Sequence, residues 1–296
     1  MIKRFALTLT LFLAAAAWAA QTGSSSSSTP AQQPAATAPA QPQGPRQPQA
    51  KTQDELNEYV AIIQNADLAA AETAADGFAT KFPESELTGH LYAALQRKYQ
   101  GVNNTDKTVE LGRKALKYLP DNPMALVSTA TVIAERTRDS DLDRDESYAE
   151  AIKYAQHSLE TIDTGLATGA NLPPEQLQQI KNVLRSMAHA ALGMVHLKKK
   201  DYPVAEEHFR KAADANPSQP DAYVFYRLSL TLDYQKKYAE ALKAINRCLE
   251  LAPADDPVVG LAKQEQSRLT KLVGTPAAPA TPPSQPTPQT PPPSGK

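Results

Sequence analysis

Proline sets the plan of this chain before any helix or strand is considered. Six of the 25 prolines fall in residues 20–51 and nine in 274–296, leaving ten for all of 52–273. The two rich stretches are otherwise mostly Ser, Gln, Ala and Thr, without a single Leu, Ile, Val, Phe or Tyr. Chain of that composition cannot bury enough to fold, and the C-terminal stretch has polyproline II character. Charge divides in the same way. Outside 52–273 stand five basic residues (Lys3, Arg4, Arg46, Lys51, Lys296) and no acid, so the middle holds 26 basic against 32 acidic residues. This excludes one globule of 296 residues. It also argues against a nucleic-acid binder, which shows a basic domain or stripe. What remains to fold is a segment of ordinary single-domain size.

The N-terminus reads as an export signal. Lys3 and Arg4 precede a largely apolar run of 13 residues, Phe5 to Ala17, and Ala17-Trp18-Ala19 offers small residues where a signal peptidase inspects. Cleavage is expected between Ala19 and Ala20, giving a signal peptide at 1–19. The run is shorter than the about 20 residues a spanning helix needs. The mature chain is therefore expected to be soluble, periplasmic or secreted, with no stable membrane insertion. Cys248 is the only cysteine, so no internal disulfide is possible and packing alone must hold the fold. It lies at helical spacing with Ile245 and Leu249, which reads as a small buried residue.

Between 52 and 273 apolar residues recur at three- and four-residue spacing, with Pro, Gly or Asn-Pro at the joints. The pattern predicts helix pairs at 53–65 with 67–81, 86–100 with 105–118, 123–136 with 146–162, 174–200 with 203–215, and 220–235 with 238–251. A last helix at 256–273 caps the end. The joints have a period: Pro83 and Pro120 are 37 residues apart, and Pro217 and Pro253 are 36 apart. Residues 148–160 and 238–250 align with seven identities in thirteen. A period of this size marks a solenoid of helical repeats. The apolar first half of 174–200 (Leu177, Ile180, Leu184) needs a partner, most simply the helix before it.

Two segments carry a family signature. His189-x2-Leu192-Gly193-x2-His196, then Ala205-x3-Phe209-x2-Ala212 and Pro217, resembles the tetratricopeptide (TPR) pattern W-x2-L-G-x2-Y, A-x3-F, P, with His in place of Trp and Tyr. Phe225, Leu228, Ser229, Leu232, Ala241, Ile245, Cys248 and Pro253 form a second match. Tyr92, Leu95, Gln96, Tyr99, Ala115 and Pro120 form a weaker third, with Thr108 and Gly112 at the usual Ala and Phe places. The expected fold is thus all-α, a TPR α–α superhelix of about five helix pairs plus a capping helix. Its best repeats are 186–219 and 222–255, and the degenerate ones 53–82, 89–122 and 123–162. The resemblance extends over nearly all of 52–273 and is to exported bacterial TPR proteins.

The resemblance implies a protein or peptide partner held on the concave surface lined by first helices. On that face the repeat phase places Met187, Ala190, Met194 and Leu197, then Tyr223, Tyr226, Leu230 and Tyr234. Tyr and Met suit adaptable apolar binding, unless the helix at 256–273 covers part of the face. The TPR proteins that grip a carboxyl terminus carry Lys and Asn where this chain has Ala190 and Met194, which argues against that mode. Arg97 and Arg227 stand as isolated basic positions nearby.

Catalytic patterns are missing from the sequence: no Ser/His/Asp order, phosphate loop or HExxH is present. Asp139, Asp141, Asp143 and Asp145, with Ser147 and Glu150, fall at calcium-loop spacing, but Arg144 replaces the required turn glycine. A solvated loop with an Asp capping the next helix explains them equally. His189 and His196 lie two helical turns apart and can share a face with His208. Zinc ligands usually pair at three to five residues, so these histidines, like His90 and His157, read as packed or surface residues. The expectation is a non-catalytic, cofactor-free interaction scaffold of the bacterial envelope. The alternatives are a spacer acting through the linker at 20–51 and the tail at 274–296, or a calcium-binding protein.

Overall fold

Where the helical periodicity breaks, the chain turns. A computed structural model describes residues 47–166 and 172–274. The expected signal peptide, nearly all of the 20–51 linker, and the tail from 275 lie outside the described residues. Among these residues are eleven helices and no strand. They are α1 (Gln53–Gln64), α2 (Leu68–Lys81), α3 (Thr88–Gly101), α4 (Thr105–Tyr118), α5 (Pro123–Arg136), α6 (Arg144–Thr161), α7 (Pro174–Lys198), α8 (Tyr202–Ala215), α9 (Ala222–Tyr234), α10 (Tyr238–Leu251) and α11 (Pro257–Gly274). None is long and apolar enough to cross a membrane.

The starts of these helices follow from short polar side chains. Asp67, Asn104, Asn122 and Asp221 each accept backbone N–H bonds from the first turn that follows. Such a cap contributes about 1 kcal/mol. Proline then fits the first turn of α5, α7 and α8, where an N–H is spare. Pro83, Pro120, Pro217 and Pro253 fall in the connections between successive pairs, as the period predicts.

Each odd-numbered helix from α3 to α9 packs against its successor, and the pairs stack in chain order. First helices also meet one another: α1 with α3, α5 with α7, α7 with α9, and α9 with α11. The second helices show no comparable contacts among themselves, so the odd-numbered helices form the shorter, inner layer. Fully buried side chains fill the crossings, among them Phe78, Leu95, Leu111, Ile133, Leu192, Phe209 and Ile245. Cys248 is buried as expected, and burial pushes its thiol up to about 11.

Two details differ from the expectation. α6 begins at Arg144 rather than 146, and Asp143 sits at its N-cap without bonding the backbone there. The first half of α7 packs on both helices of the preceding pair, not on one. Val127, Ile162, Leu184 and Ala188 form a buried cluster with Met124, Ile180 and Met187 around it. α7, at 25 residues, thus closes a three-helix unit with its first half and opens a repeat with its second.

Candidate functional site

The inner layer is held by side chains that leave one first helix and reach another. Lys98 on α3 donates to the carbonyls of Ile63 (2.6 Å) and Asn65 (3.0 Å), closing the end of α1. Lys198 does the same for α5, donating to Ala134 (2.7 Å), Glu135 (2.8 Å) and Thr137 (2.7 Å). A cation at a helix C-terminus satisfies orphan carbonyls and opposes the negative end of the dipole. Arg227 on α9 reaches past α7 to Glu135, 2.9 Å away, with both side chains largely buried. Arg268 on α11 pairs with Asp233 on α9 at 2.5 Å.

These bonds decide how the expected inner-face residues are used. Tyr223 donates its hydroxyl to Asp256 Oδ1 (3.0 Å), the cap of α11, which also accepts from Val258 N. Burial, then Asp256, pushes the Tyr223 phenol up to about 12. Tyr226 and Leu197 are half-buried against the C-terminal cluster that includes Val258, Ala262 and Leu269 of α11. The capping helix therefore does cover part of this face. Met194 packs beside Ile133 and Val195, and Met187 beside Leu184. Leu230 is half-buried yet belongs to none of the apolar clusters. Tyr234 is 58% exposed and stacks on Tyr202 of α8, with ring centroids 4.8 Å apart. Of the two basic positions, Arg227 is bonded to Glu135. Arg97 is exposed, and desolvation by the groups around it holds its pKa below the usual value.

The acidic loop does not gather into a cage. Glu150 is clasped by Arg113 (Nε 2.8 Å, Nη2 2.5 Å) on α4. Asp141 accepts from Arg138 N, and Asp145 pairs with Arg144. Among the described residues no three His, Cys, Asp or Glu side chains converge in a way that could hold a metal. His189, His196 and His208 do share one crossing, as their spacing allowed. His157 is bonded to Asp121 and Glu160 on the surface.

A polar cleft of about 410 Å3 lies at the end of α5, lined by Thr105, Glu135, Arg136, Thr137, Arg138, Asp139 and Lys198. Three of its charged side chains are engaged within the fold: Lys198 on three carbonyls, Glu135 on Arg227, and Arg136 on Asp106. That cleft holds no nucleophile paired with a base. The inner-layer bonds were not legible in the sequence, since Arg227 and Glu135 stand 92 residues apart. Asp256 before Pro257 is a cap pattern that could have pointed to how the last helix is held.

Comparison with known proteins follows the same division of the chain. Residues 222–255 match one tetratricopeptide repeat model and residues 181–220 another. No curated protein matches by sequence. Among solved structures, a thermophilic TPR protein of Thermus thermophilus is similar over 75% of this chain and 98% of its own, at 13% identity and a TM-score of 0.43. The APC/C hetero-tetramer Cut9–Hcn1 matches over 74% of this chain and 42% of that one, at 17% identity and 0.36. The assembly chaperone of RpL4 (Acl4) matches over 75% and 99%, at 14% identity and 0.33. The chain thus carries TPR repeats, units that typically serve binding between proteins.

Proposed function

We propose that this chain is a non-catalytic scaffold of the bacterial envelope, exported by its N-terminal signal, which holds a protein or peptide partner on its inner helical layer. The observation that carries this reading is the stack of helix pairs, in chain order, ending in two TPR units. A preformed groove avoids the ordering cost of binding, so a few apolar anchors can supply the affinity. Leu230 and the exposed ring of Tyr234 are the anchors least engaged by packing. Met187, Met194, Leu197, Tyr223 and Tyr226 support them from half-buried positions. The segments at 20–51 and 274–296 serve as spacers that let the folded part reach its partner.

A cross-linking pull-down from intact envelopes tests this reading with three chains: wild type, Leu230→Glu, and a chain ending at residue 273. Loss of the partner in Leu230→Glu, with helix content unchanged by circular dichroism, is the expected result. Loss only on truncation would instead make the chain a tether that acts through its Pro-rich tail. Mass spectrometry of the mature protein should find Ala20 at its N-terminus, and retention of Met1 would remove the export step.

A further inference from the structure

Three of the five histidines meet at the α7–α8 crossing. His189 Nδ1 and His208 Nδ1 are 3.3 Å apart, and their rings lie 5.5 Å apart between centroids with planes 31° tilted. His196 stacks on His208 at 5.7 Å, and its own Nδ1 is 3.3 Å from Asp201 Oδ2. The next repeat has Phe225 and Leu232 at the places of His189 and His196, so packing at this position asks only for apolar bulk. Two facing imidazole nitrogens satisfy each other in one of two ways. One ring donates its Nδ1 proton to the other, or both carry the proton on Nε2 and present two lone pairs to a cation.

The separation favours one kind of cation. With zinc–nitrogen bonds of about 2.0–2.1 Å, a tetrahedral ion sets its ligand atoms about 3.3–3.4 Å apart, whereas a right-angled pair would stand about 2.9 Å apart. We propose that His189 and His208 chelate a tetrahedral divalent transition-metal ion, zinc by its geometry, and so staple α7 to α8, with water completing the shell.

The surroundings allow it. A cation takes the second arrangement, with both protons on Nε2 and both Nδ1 lone pairs facing it. The charged neighbours, Glu207 and Lys211, pair with each other at 2.6 Å, which offsets much of the lysine's repulsion. Two nitrogens are the whole protein contribution, so the site is open and exchangeable, unlike a four-ligand structural zinc. Its exchangeability sets it apart from the calcium spacing at 139–150, whose acids are spread among other partners.

The test is a titration of zinc chloride into the chelator-stripped full chain at pH 7.5, followed by calorimetry and thermal unfolding. One ion per chain and a zinc-dependent rise in the unfolding midpoint are expected. His189→Gln and His208→Gln should each weaken binding at least tenfold, while His157→Gln should leave it unchanged. Absence of heat and of any midpoint shift at millimolar zinc overturns the proposal, as does wild-type affinity in both glutamine variants. Should those variants not fold, cobalt(II) bound to the wild-type chain decides the matter. Intense visible bands of a tetrahedral ion support the site, and the weak spectrum of hydrated octahedral cobalt contradicts it.

Discussion

The α3–α4 and α7–α8 pairs solve the same packing problem with the large and small residues exchanged. In α7–α8 the first helix offers Gly193 and the second offers Phe209, which is fully buried. A methyl on Gly193 would stand 2.8 Å from the Phe209 ring. In α3–α4 the order is reversed, with Gln96 on the first helix and Gly112 on the second. A methyl on Gly112 would stand 2.5 Å from Gln96 Nε2 and closer still to Thr129 Oγ1. Gln96 is 1% exposed, and its amide donates to Thr129 Oγ1 at 2.9 Å, which ties α3 to α5. The α9–α10 pair sits between these solutions with Ser229 and Ile245, where Ser229 Oγ donates to Ala241 O at 2.9 Å. A close-packed crossing constrains the summed volume at the site, not the residue at either helix. A repeat can therefore lose its signature and keep its geometry.

Substitutions at the two crossings sharpen this contrast, and the largest effect should come from removing the large partner. Phe209→Ala should cost about 3–5 kcal/mol, the usual range for a buried aromatic ring, read as a lower urea midpoint at unchanged slope. Filling the small side comes next. Gly193→Val should cost about 1–3 kcal/mol through overpacking, and adding Phe209→Leu should recover part of the loss. Equal costs with and without Phe209→Leu would mean that the two positions do not share the space.

Acid should separate the pairs next, because His189 and His208 face each other at the α7–α8 crossing. His189 binds its proton more weakly in the fold than the about 6.5 of an unfolded histidine. Its contribution is therefore complete above that value, shrinks as pH falls below it, and levels off near about 4. Allowing for the ring's partial exposure, this amounts to about 1–2 kcal/mol. Urea midpoints in the presence of a chelator should fall more between pH 7.5 and 5 for wild type than for His189→Gln. Gln96→Leu should cost about 1 kcal/mol by losing a buried hydrogen bond, and no histidine titration should accompany it. The smallest effect belongs to the exposed pair of Arg113 and Glu150. Arg113→Ala should change stability by less than about 1 kcal/mol.

Helix positions were legible in the sequence because their causes are local. Asn122-Pro123 writes a cap and a first turn side by side, and Pro217 and Pro253 mark turns wherever they stand. The repeat was legible at 222–255 because Ala241 and Ile245 keep the expected sizes. It was faint at 89–122 because Gln96 and Gly112 trade places, and single positions give no sign of a sum. Periodicity put Tyr223 and Tyr226 on one side of α9, but their engagement by α11 depends on Asp256 and Leu269, contacts between separate turns of the stack. The same holds for Arg227 and Glu135. Periodicity shows which side of a helix faces inward, and only the assembled stack shows what already occupies that side.

The central claim is that the inner layer, and not the outer one, carries the binding surface. A photo-cross-linking residue placed at Leu230 on α9, compared with one at the exposed Lys243 on α10, tests it in the native host. The account predicts a discrete cross-linked partner from position 230 and none from 243. The same partner captured equally from both positions, or from 243 alone, would contradict it.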